Sequence, residues 1–395
     1  MGTANLGSLW PPPPGTQKHT EAHSGVFAFS MLILAASLIW LGNLHGPAFI
    51  RPFFDAVPFE TPTDTFLFVG TMVAAMLVHE AGHFLASVLL GFRMLGASIG
   101  PFQLQGLHRN WKISYSARRF FTASVSAVPA TMRWWRPRMM AVIAAGPLAT
   151  LSAGLYATSS RTSNHSEMLL QISFVQVSLL LFALGLVPNS RFARQHNDCR
   201  LLLDLLLRDN GAEDMQLRVE LKQRVLAGER PQDCDREVVE RLAGFRGRPD
   251  SEATFALAMA NWAMDSDEPE LADAWDCRAF ELSADCGPQI QNAARASSAC
   301  FDVIFREDMQ SAREKFGMVD CDALFPDCFA HRVRAAKEIA AGHLNRVAAH
   351  VLRAQYSLPK GITSYALERS LLERLHMKAL TVAVARDQKF KTATA

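Results

Sequence analysis

Two regimes of hydrophobic patterning divide this chain near residue 208. Before that point apolar residues gather in blocks long enough to cross a bilayer as helices, at 26–44, 66–91, 139–157 and 168–188. After it they recur at three- and four-residue spacing over 212–226, 252–264, 270–282, 328–352 and 364–385, the period of amphipathic helices in water. Between the second and third blocks the period changes to two. Phe102-Gln103-Leu104-Gln105 and Trp111-Lys112-Ile113-Ser114-Tyr115 alternate on either side of 106–110, which predicts a hairpin. The expected fold is mainly α: a polytopic membrane helix bundle of about four spanning helices with a small β-hairpin, followed by a soluble helical C-terminal domain.

Three regions follow from this pattern. Residues 1–24, with Trp10 and the prolines Pro11 to Pro14, read as a flexible tail or a polyproline ligand. Residues 25–208 form the transmembrane domain, its first block longer than the apolar core of a signal peptide and with no small-residue cleavage site after it. Residues 209–395 form a cytosolic helical domain whose paired helices could stack as a solenoid or pack irregularly. No fixed-period repeat is visible in the residues themselves. Nothing in this half suggests catalysis, so it is expected to regulate or to recruit a cytosolic protein partner.

Charge sets an expected orientation. The formal net charge is only +2, yet the loop 92–138 holds Arg93, Arg109, Lys112, Arg118, Arg119, Arg133, Arg136 and Arg138 and no acidic residue. The loops 46–65 and 159–167 carry one Arg each. Lys/Arg excess marks the cytoplasmic side, so both termini are expected there in a multi-pass membrane protein. Beside spanning helices a basic loop reads as topology, and no nucleic-acid partner is expected. The seven cysteines are irregularly spaced without a CxxC, which fits reduced thiols in a cytosolic domain.

Chemistry enters at His79-Glu80-Ala81-Gly82-His83, whose side chains are the only ionisable ones in the block 66–91. Ionisable groups at membrane depth are expensive and mark function. On a helix, residues i and i+4 share a face, so His79 and His83 can hold one zinc ion while Glu80 reaches a water on it. A catalytic zinc takes three protein ligands and keeps one position open. The third ligand must come from another segment, and Asp198, Asp204, His165, Glu167 and His196 all stand as candidates, Asp198 foremost. The alternative reading makes Glu80 and both histidines polar glue between helices. The hairpin is either a simple interfacial feature or an edge strand that receives an extended substrate.

The HExxH within an apolar block, Gly146-Pro147 in the third block, Ser98 to Phe102 before the hairpin, and Pro188 followed by the late Asp198 resemble the site-2 protease family over about residues 65–205. The family comprises intramembrane zinc metalloproteases. The resemblance implies Zn2+ held by His79, His83 and Asp198, Glu80 as the base, Gly146, Pro147 and Pro188 as substrate-positioning residues, and a membrane-embedded protein substrate. It also implies a bacterial cytoplasmic membrane. Three positions depart from the family's pattern: Cys199 replaces a Gly, Gly185 an Asn, and Thr150 an Asn. These substitutions make a non-proteolytic, zinc-binding membrane scaffold the alternative expectation.

Overall fold

The computed structural model describes residues 9, 11, 62–100, 102–107, 110–115, 123–159, 165–186, 197–207, 210–324, 326–358 and 365–394. The apolar block 26–44 and Pro188 lie outside the described residues, as does His196. By its contacts the chain divides into two units, Lys18–Gln223 and Met1–Gln17 with Arg224–Ala395.

The first unit is built on α1 (Pro62–Leu89), α2 (Trp135–Ser159) and α3 (His165–Leu186), with the shorter α4 (Asp198–Leu207) and most of α5 (Asn210–Ala227). Two of the described helices are long and apolar enough to cross a membrane, over Phe66–Leu89 and Trp135–Ala157. In α3 the described apolar stretch, Leu170–Leu179, is shorter. Only 17% of the α1 window is buried, and Phe66, Leu85, Val88 and Leu89 are more than half exposed. A core helix of a water-soluble protein would hide these side chains, so α1 presents an apolar surface that calls for lipid or protein cover.

Small residues draw α1 and α2 together. A Cβ on Gly82 would lie 2.4 Å from the Ala145 carbonyl oxygen and 2.7 Å from the Ala149 Cβ, so only glycine allows this approach. Arg138, counted above among the topological charges, is committed to structure. Its guanidinium donates to the carbonyls of Leu90 (2.9 Å from Nε) and Gly91, just past the end of α1, and to those of Thr131 and Arg133 in the turn before α2. The turn it secures contains Trp134 at φ +55°, a strained value for a bulky residue.

The hairpin is part of a larger element than expected. Strands β1 (Phe92–Ile99), β2 (Phe102–Leu107), β3 (Asn110–Tyr115) and β4 (Ala123–Pro129) form one antiparallel sheet in the order β3-β2-β1-β4. The expected pairing is present, with Leu104 opposite Ile113 and Phe102 opposite Tyr115. Ala97 pairs with both Leu104 and Val125, which ties the hairpin to β4. The strands β1 and β4 escaped sequence reading because both contain small residues that blur a period of two.

The second unit is helical: α6 (Arg236–Gly244), α7 (Pro249–Asp265), α8 (Pro269–Ser283), α9 (Pro288–Phe301), α10 (Met309–Gly317), α11 (Asp327–Ala341), α12 (Leu344–Ser357) and α13 (Ala366–Thr394). The segment 328–352, expected as one helix, is two, because Gly342 adopts φ +81° and ends α11. From α7 onward each helix packs on the next, and α7, α9, α11 and α13 also touch in series. Those four begin at 249, 288, 327 and 366, a constant step of 39 residues. Phe255, Ala294, Val333 and Leu372 occupy equivalent positions in them and are all buried. The spacing is regular while the residues are not, since different side-chain volumes fill one packing position. All seven cysteines are free thiols.

Candidate metal centre

His79 and His83 sit one turn apart on α1, and their rings meet edge to face with centroids 4.8 Å apart. Each ring has its Nδ1 engaged. His83 Nδ1 lies 2.8 Å from the Val142 carbonyl oxygen, which can only accept, so Nδ1 carries the proton. Thr150 spends its own hydroxyl proton on the Gly146 carbonyl at 3.0 Å. Its oxygen is therefore left to accept from His79 Nδ1 at 3.1 Å. Both rings thus turn an unprotonated Nε2 towards the same place.

Asp198 completes the group from the start of α4. Asn197 caps that helix, its side-chain oxygen accepting from the Arg200 amide at 3.1 Å, and the cap places Asp198 in the first turn. The helix is anchored on α2 by fully buried Leu205, packed with Ile143 and Ala212. Asp198 Oδ2 lies 3.0 Å from His79 Nε2 and 3.4 Å from His83 Nε2, and the two nitrogens are 3.2 Å apart. Burial alone would raise the Asp198 carboxyl, but when protons rather than a cation sit on the imidazole Nε2 atoms, the hydrogen bonds and charge of the two rings outweigh burial and hold it at about 2. It is ionised at neutral pH, as a ligand must be.

The donor set fits a metal. These three are the group of potential ligands found among the described residues. A tetrahedral ion with bonds of about 2.0–2.1 Å separates its ligand atoms by about 3.3 Å, and the three observed separations cluster on that value. Two imidazole lone pairs and a carboxylate oxygen converge with no hydrogen between them, an arrangement that only a cation or added protons can relieve.

Glu80 follows His79 in sequence, and its carboxylate lies within hydrogen-bonding range of the Val125 backbone on β4, an edge of the sheet. Its Oε2 is buried without a partner among the described residues. A buried carboxylate oxygen left unsatisfied is costly and is a common mark of a catalytic group.

The other candidates go elsewhere. Asp204 is buried in an ion pair with Arg200 at 2.8 Å and packs against Gly211. His165 and Glu167 open α3, where Glu167 is exposed and is not in the cluster. Gly146 and Pro147, expected to position substrate, lie on α2, and Gly146 is set against the metal-facing nitrogen of His83. A Cβ on Gly146 would fall 2.2 Å from His83 Nε2, and Pro147 lies within α2. Thr150, singled out only as a departure from a pattern, turns out to be the partner of His79. Its i+4 spacing from Gly146 was the available signal.

Comparison of the chain with protein-family models, characterised proteins and solved structures returned no match.

Proposed function

We propose that this chain is a membrane-embedded zinc endopeptidase that hydrolyses a peptide bond in or near a transmembrane segment of another protein. The observation that carries this reading is the convergence of His79 Nε2, His83 Nε2 and Asp198 Oδ2 on an apolar helix whose Glu80 has one carboxylate oxygen, Oε2, buried without a partner among the described residues. Two imidazoles and one carboxylate are the donor set of a catalytic rather than a closed structural zinc site. When bound, zinc supplies Lewis acidity, polarising a carbonyl and lowering the pKa of a coordinated water.

The protein's own groups do the rest. Val142 and Thr150 hold the two imidazoles in the tautomer that leaves Nε2 free. Glu80 is placed to take a proton from the attacking water and return it to the departing amine nitrogen. Apolar surroundings limit stray water and strengthen each charge interaction.

A helical substrate hides its peptide bonds in internal hydrogen bonds, so the enzyme must supply replacements. The sheet offers an edge for that, and the edge nearest Glu80 is β4 rather than the β2–β3 hairpin. An extended substrate segment adding to β4 would lie beside the carboxylate. In this reading the active site lies within a multi-pass membrane domain of about four spans, with both termini cytoplasmic.

Glu80→Gln decides between this reading and a zinc-binding scaffold without turnover. Purified protein in liposomes with a reporter transmembrane helix should retain about one zinc per chain and lose cleavage. Absence of zinc in the unmutated protein, or cleavage indifferent to Glu80, overturns the proposal. If the unmutated protein binds zinc and cleaves no reporter, the scaffold reading stands instead.

A further inference from the structure

A hydrogen bond outside the metal centre joins the N-terminal segment to the helical unit. Trp275, buried on α8, donates its indole Nε1 proton to the backbone carbonyl of Leu9 at 2.8 Å, across 266 positions. Leu9 is itself only 2% exposed. A buried indole N–H requires an acceptor, and here a helical array takes it from a segment that is no part of the array.

Leu9 precedes Trp10 and four consecutive prolines, Pro11 to Pro14. Proline fixes φ and has no amide proton, so a proline run favours an extended chain with free carbonyls and little conformational entropy to lose on binding. Arrays of stacked helices with a constant repeat, as in α7 to α13, commonly serve as peptide-binding surfaces.

We propose that this helical array is a peptide-binding module and that the chain's own Leu9–proline segment is its resident ligand. The leucine fills a seat beside Trp275, and the indole N–H recognises the backbone carbonyl of the residue in that seat. Tethering gives the cis segment a high effective concentration, so a free peptide of the same sequence meets an occupied site in the intact chain. A partner with a leucine ahead of a proline run competes for the same seat. This inference does not rest on the metal centre.

The test uses the full chain in detergent micelles and a fluorescein-labelled peptide spanning Met1–Gln17, read by anisotropy. Leu9→Asp in the protein should release the cis segment, so that the variant binds the labelled peptide at least tenfold more tightly than the unmutated chain. Adding Trp275→Phe should weaken that binding at least fivefold. A labelled peptide carrying Leu9→Asp should fail to bind the Leu9→Asp protein, an arm that involves no change to the helical array. Equal binding of the peptide to the unmutated and Leu9→Asp chains, or equal binding of the two peptides, overturns the proposal.

Discussion

Gly146 on α2 lies directly against the imidazole of His83 on α1, so close that a Cβ would stand 2.2 Å from Nε2 and 2.5 Å from Cε1. The absence of a side chain on one helix thereby sets the position of a ligand on another. Gly146→Ala must push the ring, the helix or both. We expect zinc affinity to fall about 10–100-fold, as when groups behind a ligand are altered. Chelator competition measures this. Gly70→Ala is the matched control, since nothing lies within 4 Å of a Cβ there, and it should leave affinity unchanged.

Asp198 and Asp204 share a short helix and should respond oppositely to substitution. Asp198→Asn removes an anionic ligand and should cost most of the bound zinc, while α4 stays folded through Leu205. Asp204→Ala removes the buried carboxylate that pairs with half-buried Arg200, a loss on the order of 3 kcal/mol, with zinc affinity retained. Zinc content together with thermal unfolding separates the two, and the reverse pattern would refute the ligand assignment.

Thr150 holds His79 in its metal-ready tautomer through one hydroxyl. Thr150→Val keeps the shape and deletes the acceptor, so zinc affinity should drop about tenfold or more. Thr150→Ser should restore it. If valine and serine behave alike, the contact at 3.1 Å has no bearing on the ligand.

Asp276 gives the helical unit a pH dependence independent of the metal. Burial pushes its carboxyl up to about 6, more than Arg306, Ser298 and Lys315 pull it down. The folded chain therefore keeps this proton to about pH 6, whereas the unfolded chain releases it near pH 4. The native state binds more protons across that window, so this group's stabilisation is full below it and is lost as pH rises through it, by about 3 kcal/mol. Hydrogen exchange of α8 and α9 at pH 5 and 7.5, corrected for intrinsic rates, should show the loss of protection. Asp276→Asn should flatten it.

Much of the first unit was legible because lipid-scale hydrophobicity and an i, i+4 pair are local signals. The blocks 66–91 and 139–157 became helices within a few residues of their predicted ends, and His79, Glu80 and His83 needed only helical periodicity to share a site. The hairpin was legible from its alternation, but β4 was not, because its partner β1 lies about thirty residues away and its small side chains carry no clear period.

The sequence by itself determined which residues could act: two histidines and a glutamate on one apolar helix, and a short list of carboxylates from which a third ligand could be drawn. Tertiary structure decided among them. Asp198 faces the histidines while Asp204, less than two turns on, pairs with Arg200, because the cap at Asn197 and the anchor at Leu205 set the rotation of α4. It also set Gly146 against His83, made Thr150 the partner of His79, and brought the Leu9 carbonyl to Trp275. Periodicity tells which face of a helix a residue occupies, but only packing between distant segments determines what that face meets.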